Sequence, residues 1–99
     1  MKTSETNRNG NRLVLSERYN TVAGKRFLYR LYAAAECNHA PRFYVAVSGD
    51  GEYSEGCIPT DLTDAARIHD AIASGGVTPC TLDEVLSDLL FDACLVNNG

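Results

Sequence analysis

The sequence predicts an α+β domain. A four-stranded antiparallel meander comes first, and two α-helices packed on one face of the sheet follow it, ββββαα. Three observations carry this expectation. Residues 12–58 hold four stretches in which apolar and polar side chains alternate with period two, as strands with one buried face do. Asp50-Gly51 stands between two of them, and Asp-Gly is a strong signal for a tight hairpin. After Pro59 the repeat changes to the three-and-four spacing of amphipathic helices. Strands first and helices second place both helices on the same side of the sheet.

The first strand is Arg12–Tyr19, with Leu13 and Leu15 toward the core and Arg12, Ser16 and Arg18 the other way. Asn20–Lys25 contains Gly24 and makes the turn. In Arg26–Ala34 the odd positions Phe27, Tyr29, Leu31 and Ala33 are apolar or aromatic, and the even ones are Arg26, Leu28, Arg30 and Tyr32. A helix over Phe27–Ala35 is the weaker alternative, because Leu and Ala are good helix formers. Cys37–Pro41 reads as a loop that ends at Pro41, just before the third strand. Arg42–Ser48 repeats the alternation, with Phe43, Val45 and Val47 opposed by Arg42, Tyr44 and Ala46. Glu52–Ile58 pairs back on it, and Gly56 weakens this fourth strand or marks a bulge.

Thr60 is placed as the N-cap of the first helix, with Asp61 and Asp64 in the first turns, where the helix dipole favours acids. This helix is predicted to stop after Ser74, at Gly75-Gly76. Its apolar stripe is Leu62, Ala65, Ala66, Ile68, Ile72 and Ala73. Thr81 with Glu84 fits a capping box for a second helix, which runs to about Val96 on a stripe of Leu82, Val85, Leu86, Leu89, Ala93 and Val96. Phe91 and Leu95 lie off that stripe and offer a second apolar face for self-association as a homodimer.

Ninety-nine residues make one domain, expected over residues 12–96, with the polar stretch 1–11 as a disordered tail. No apolar run approaches the roughly 20 residues that span a bilayer, so no membrane role is expected. The polar N-terminus carries no apolar core of a secretory signal, which predicts a cytoplasmic protein with four unbridged cysteines. Net charge is −4 and unevenly spread: residues 1–48 sum to +5 and residues 49–99 to −9. The plain reading is that the two halves attract one another within one fold.

The most informative constellation is the sheet face turned away from the helices. Strict alternation sends Arg12, Arg18, Arg26, Arg30 and Arg42 from it, with Tyr32 and Tyr44 between them. Guanidinium groups fork onto carboxylates or phosphates and stack on rings, so an acidic protein or anionic ligand is the expected partner. The negative total charge disfavours nucleic acid. The ordinary alternative is that these are good exposed-strand residues whose stems cover the sheet. A thiol enzyme or redox protein is the competing reading, through Cys80 beside a helix start or Cys37 in the Cys37-x-His39 loop. That loop pair has no second pair to complete a zinc site, and no phosphate loop, dinucleotide fingerprint or calcium loop is present, so no cofactor is expected. His69 falls on the apolar side of its helix and reads as a core-edge histidine with a hydrogen-bond partner.

Four segments, 11–19 (NRLVLSERY), 24–34 (GKRFLYRLYAA), 40–47 (APRFYVAV) and 77–85 (VTPCTLDEV), carry a resemblance. The chain resembles a family of short proteins from anaerobic Gram-positive bacteria known as a domain of unknown function. The resemblance spans residues 11 to about 91. It implies a small stand-alone bacterial cytoplasmic protein and brings no catalytic residue with it. The non-catalytic interaction module is therefore the preferred expectation.

Overall fold

Alternating side chains and two tight left-handed turns build one antiparallel sheet. The computed structural model describes the backbone of residues 12–36 and 39–98 and the side chains of residues 12–34 and 42–91. Strands β1 (Arg12–Val22), β2 (Lys25–Glu36), β3 (His39–Gly49) and β4 (Glu52–Ile58) lie in chain order, β1-β2-β3-β4. Helix α1 (Leu62–Ser74), a 3-10 turn (Pro79–Thr81) and helix α2 (Leu82–Asn98) follow. The ββββαα order is as expected. Ala23-Gly24 and Asp50-Gly51 close the outer hairpins, with φ of 52° and 80° in the first and 54° and 76° in the second. Positive φ at both central residues marks the turn whose twist matches paired strands.

The core lies between the odd-numbered face of β2 and β3 and the helices. Phe27, Tyr29, Leu31, Val45, Val47 and Ile58 meet Ala65, Ile68, Ile72 and Ala73 of α1 and Leu82 and Leu86 of α2. The Nε2–H of buried His69 donates to the Tyr29 carbonyl at 3.0 Å, so this histidine ties α1 to β2. Gly56 sits in regular register opposite Val45, without a bulge. Its lack of a side chain serves packing, because a Cβ there would lie 2.4 Å from Leu86 Cδ2. The glycine lets α2 press onto β4.

Strand β1 departs from strict alternation. The register with β2 breaks between Val14 and Ser16, leaving Leu15 as an extra residue. Beyond such a bulge every side chain changes face. Arg18 therefore stands opposite Tyr29, on the helix side, and forms an ion pair with Asp70 of α1. Asn20 is on that side too, and its Nδ2 donates to the Ala73 carbonyl at 2.8 Å. Leu13 and Leu15, expected in the core, are 63% and 39% exposed, because the first half of this edge strand extends past the helices.

The helix starts differ in detail. Asp61, not Thr60, caps α1, its side chain accepting the Asp64 N–H at 3.0 Å. Thr81 belongs to the 3-10 turn and its hydroxyl donates back to the Thr78 carbonyl, so the expected pairing with Glu84 is replaced by a turn that begins at Thr78. Pro41 lies inside β3, and Glu36 pairs with His39 across a tighter connection than the expected loop. Leu62, at the start of α1, is 52% exposed. The tail 1–11, Cys37, and the side chains of Ala93, Leu95 and Val96 lie outside the described residues.

Candidate functional site

The helices pack on one face of the sheet, and the other face carries the even-numbered residues of β2 and β3. Register places Tyr32 beside Tyr44, and Arg30 in a row with Ala46 and Glu55. From β1 the bulge brings Arg12, Glu17 and Tyr19 to this face, opposite Ala34, Arg30 and Leu28. Ala46, in the middle of the face, is only 3% exposed. No helix lies above it, so long side chains must cover it.

Arg12 is central to that cover. It starts on edge strand β1 and ends on β4, where Nη1 and Nη2 donate to Glu55 at 3.0 and 2.6 Å. On the way its guanidinium passes 4.7 Å from the ring centre of Tyr44 and 5.4 Å from that of Tyr32. The Tyr53 hydroxyl donates to the same carboxylate at 2.5 Å. The hydrogen bond from Arg12 is the main cause that holds the Glu55 carboxyl below its ordinary range. Desolvation, and then the hydrogen bond to Glu55, pushes the Tyr53 phenol up to about 12. A second pair lies alongside: Arg30 Nε donates to Glu17 at 2.7 Å, and Nη1 reaches the Tyr32 hydroxyl at 3.5 Å. Arg26 stacks over Tyr19 at 4.3 Å, and Arg42 is engaged as well.

The structure thus groups Arg12, Arg26, Arg30, Arg42, Tyr32 and Tyr44 on one face and removes Arg18 from it. It also adds Glu17, Tyr19, Tyr53 and Glu55, which strict alternation from the first strand missed. Two of them were legible. Counting back from Asp50-Gly51 puts Tyr53 opposite Ser48 and Glu55 opposite Ala46, in phase with Tyr44. The face is a paired array of arginine, tyrosine and carboxylate.

The described thiols, Cys57 and Cys80, are unbridged. Cys80 is exposed in the middle of the 3-10 turn, in a shallow cleft of roughly 330 Å³ lined by Glu52, Tyr53, Ser54 and Pro79. Its Sγ lies 3.6 Å from the Thr78 hydroxyl. His69, the histidine whose side chain is described, is buried and committed to Tyr29. Among the described residues no three His, Cys, Asp or Glu side chains are grouped to hold a metal ion, and no helix is long and apolar enough to cross a membrane. Phe91, on α2, is 63% exposed, and Leu95 lies outside the described side chains.

No family model, curated protein or solved structure matches this chain.

Proposed function

We propose that this protein is a non-catalytic interaction module that engages a protein partner through the open face of its sheet. The observation that carries the reading is the array of arginine, tyrosine and glutamate on that face. Tyr19 and Tyr53, 57% and 60% exposed, flank a centre from which water is already excluded at Ala46. Aromatic and arginine side chains are the residue types that concentrate binding energy at protein interfaces. An acidic or otherwise anionic partner would have to displace Glu55 from Arg12 or Glu17 from Arg30. The thiol reading has less behind it, because the hydrogen-bond neighbour of Cys80 is the Thr78 hydroxyl and the histidine whose side chain is described is committed to Tyr29. Alkylation of Cys80 no faster than that of a small-molecule thiol under the same conditions is the corresponding expectation.

The test is site-specific photo-crosslinking. A photoreactive phenylalanine analogue at position 19 or 53 should give one discrete adduct in extract of the source cells. The same analogue at Thr63, on the exposed side of α1, should not. The adduct should disappear in a folded Arg30→Ala variant. Equal adducts from all three positions, or none, would remove the reading.

The exposure of Phe91 favours a second reading, self-association through α2. Sedimentation of the intact chain and of Phe91→Asp separates the two: a monomer unaffected by the substitution leaves only the sheet face.

A further inference from the structure

The surroundings of the Arg12 guanidinium form a recognition set. Tyr32 and Tyr44 present ring faces to it. Glu55 takes two N–H groups at once, which suits a planar fork and no ammonium group. Tyr53 fixes the carboxylate by donating to it. All four residues belong to β2, β3 and β4, and on the reverse of these strands Leu31, Val45 and Ile58 are buried against the helices. The receptor is therefore built on the best-held part of the fold.

Its occupant is attached to the least-held part. Arg12, Leu13 and Val14 are separated from the rest of β1 by the register break at Leu15 and keep three register pairs with β2 beyond it. Leu13 and Val14 are 63% and 45% exposed, so this short end buries little. Small burial and few pairs are what local opening requires. When the end peels away, Glu55 is left as a half-buried carboxylate beside two ring faces without its counter-charge.

We propose that Tyr32, Tyr44, Tyr53 and Glu55 form a receptor for a single arginine side chain, filled in cis by Arg12, and that an arginine presented by a partner protein takes its place. This rests on the interaction-module reading and names the chemistry of the partner: basic where it touches the face. The net charge of −4 favours its approach. Arg12 acts as a built-in competitor, so the affinity of the intact protein is the intrinsic affinity multiplied by the fraction of molecules in which Arg12 is unseated.

The experiment uses small probes. Arg12→Ala is titrated with methylguanidinium and, at matched ionic strength, with methylammonium, following the ring resonances of Tyr32, Tyr44 and Tyr53. Saturable shifts are expected with methylguanidinium alone, at an apparent affinity at least ten-fold tighter than for the wild-type protein. Arg12→Ala/Glu55→Gln should lose them. Arg12→Gln, which keeps a long stem, serves if Arg12→Ala does not fold. Equal response to both cations, or equal response of variant and wild type, means that Arg12 is a structural latch only and overturns the proposal. A negative titration beside an intact crosslink from position 19, which lies outside the receptor, removes the arginine receptor and leaves the interaction module standing. A positive titration with no crosslink leaves a guanidinium site filled only by Arg12, and overturns the proposal of a partner's arginine.

Discussion

Breaking the contact between Arg12 and Glu55 should cost more at the arginine end than at the glutamate end. Arg12→Ala removes two charge-assisted hydrogen bonds and two ring contacts at once. Hydrogen bonds to charged groups contribute about 1.5–3 kcal/mol when buried, and exposed ion pairs less than about 1 kcal/mol. The two side chains are 29% and 27% exposed, which sets this pair between those limits. That places its contribution at about 1.5 kcal/mol. Ring contacts at partly exposed sites add about 0.5–1 kcal/mol. The sum, about 2–2.5 kcal/mol, lowers Tm by roughly 10–15 °C in a domain of this size. Glu55→Gln keeps the ring contacts and one acceptor, and should cost about 1 kcal/mol. The assay is urea unfolding of the wild type, both single variants and the double variant, at constant m value. The coupling energy from this cycle should be about 1 kcal/mol. A coupling below about 0.3 kcal/mol would show the pair to be solvated like any surface pair. A Glu55→Gln cost equal to that of Arg12→Ala would show that the tyrosine rings contribute nothing.

Four further outcomes follow from single positions. Gly56→Ala forces a Cβ to within 2.4 Å of the buried Leu86 side chain, and thermal unfolding should show a loss of about 1–3 kcal/mol, with Leu86→Ala costing less in that background than in the wild type. Ala23 holds φ 52°, so Ala23→Gly should raise stability by about 0.5–1 kcal/mol, since the strain relieved exceeds the added freedom of the unfolded chain. The Glu55 carboxyl is held below its ordinary value of 4.5, so its contribution is present above that value and is lost as pH falls through the lowered one. Tyr53 is displaced the other way, from 10 to about 12, and its contribution is complete below 10 and lost as pH rises to about 12. Urea midpoints of wild type and Arg12→Ala should draw closer together as pH falls below 4.5, and ultraviolet titration should show late-ionising tyrosine that is reduced in Tyr53→Phe, the remainder belonging to Tyr29, whose burial pushes it up as well.

The fold was legible because its signals are local and redundant. Phe27, Tyr29, Leu31, Phe43, Val45 and Val47 alternate without interruption, Asp50-Gly51 sets one register, and the stripes of α1 and α2 end at glycines or continue as the core demands. The error lay in β1, where one residue decided it. Val14 and Leu15 are both apolar, so RLVLSER reads equally well as regular alternation and as alternation with an insertion. Which of the two forms depends on what lies across the strand. Arg18 in regular phase would leave Asp70 without its partner and place Glu17 on the helix side, near other acids. With Leu15 inserted, Arg18 meets Asp70 and Glu17 meets Arg30. Both are long-range pairings that no short window contains. The open-face cluster was half visible for the same reason. Its tyrosines and arginines follow from period two, whereas Arg12 reaching Glu55 depends on a chain separation of 43 residues.

The charge asymmetry resolves along the same lines. Arg12–Glu55, Arg18–Asp70 and Lys25–Asp50 each join the basic first half to the acidic second half. Part of the +5 is thereby neutralised inside the fold, since Arg12, Arg18 and Lys25 each meet a carboxylate of the second half. Among the described residues, acid stays unmatched on the helix layer: Asp83, Glu84 and Asp88 lie together on α2, and Arg67 is the single basic residue after position 60, apart from His69. A field of that sign draws cations toward the protein at range, while screening confines it to about 8–10 Å at physiological salt. Specificity must then come from contact, and the contact that distinguishes one cation from another is the bidentate carboxylate of Glu55 over two tyrosine rings. On the proposed reading, the net negative charge and the Glu55 contact favour the same partner chemistry. A lysine-rich segment would be attracted and not held, and an arginine would be both.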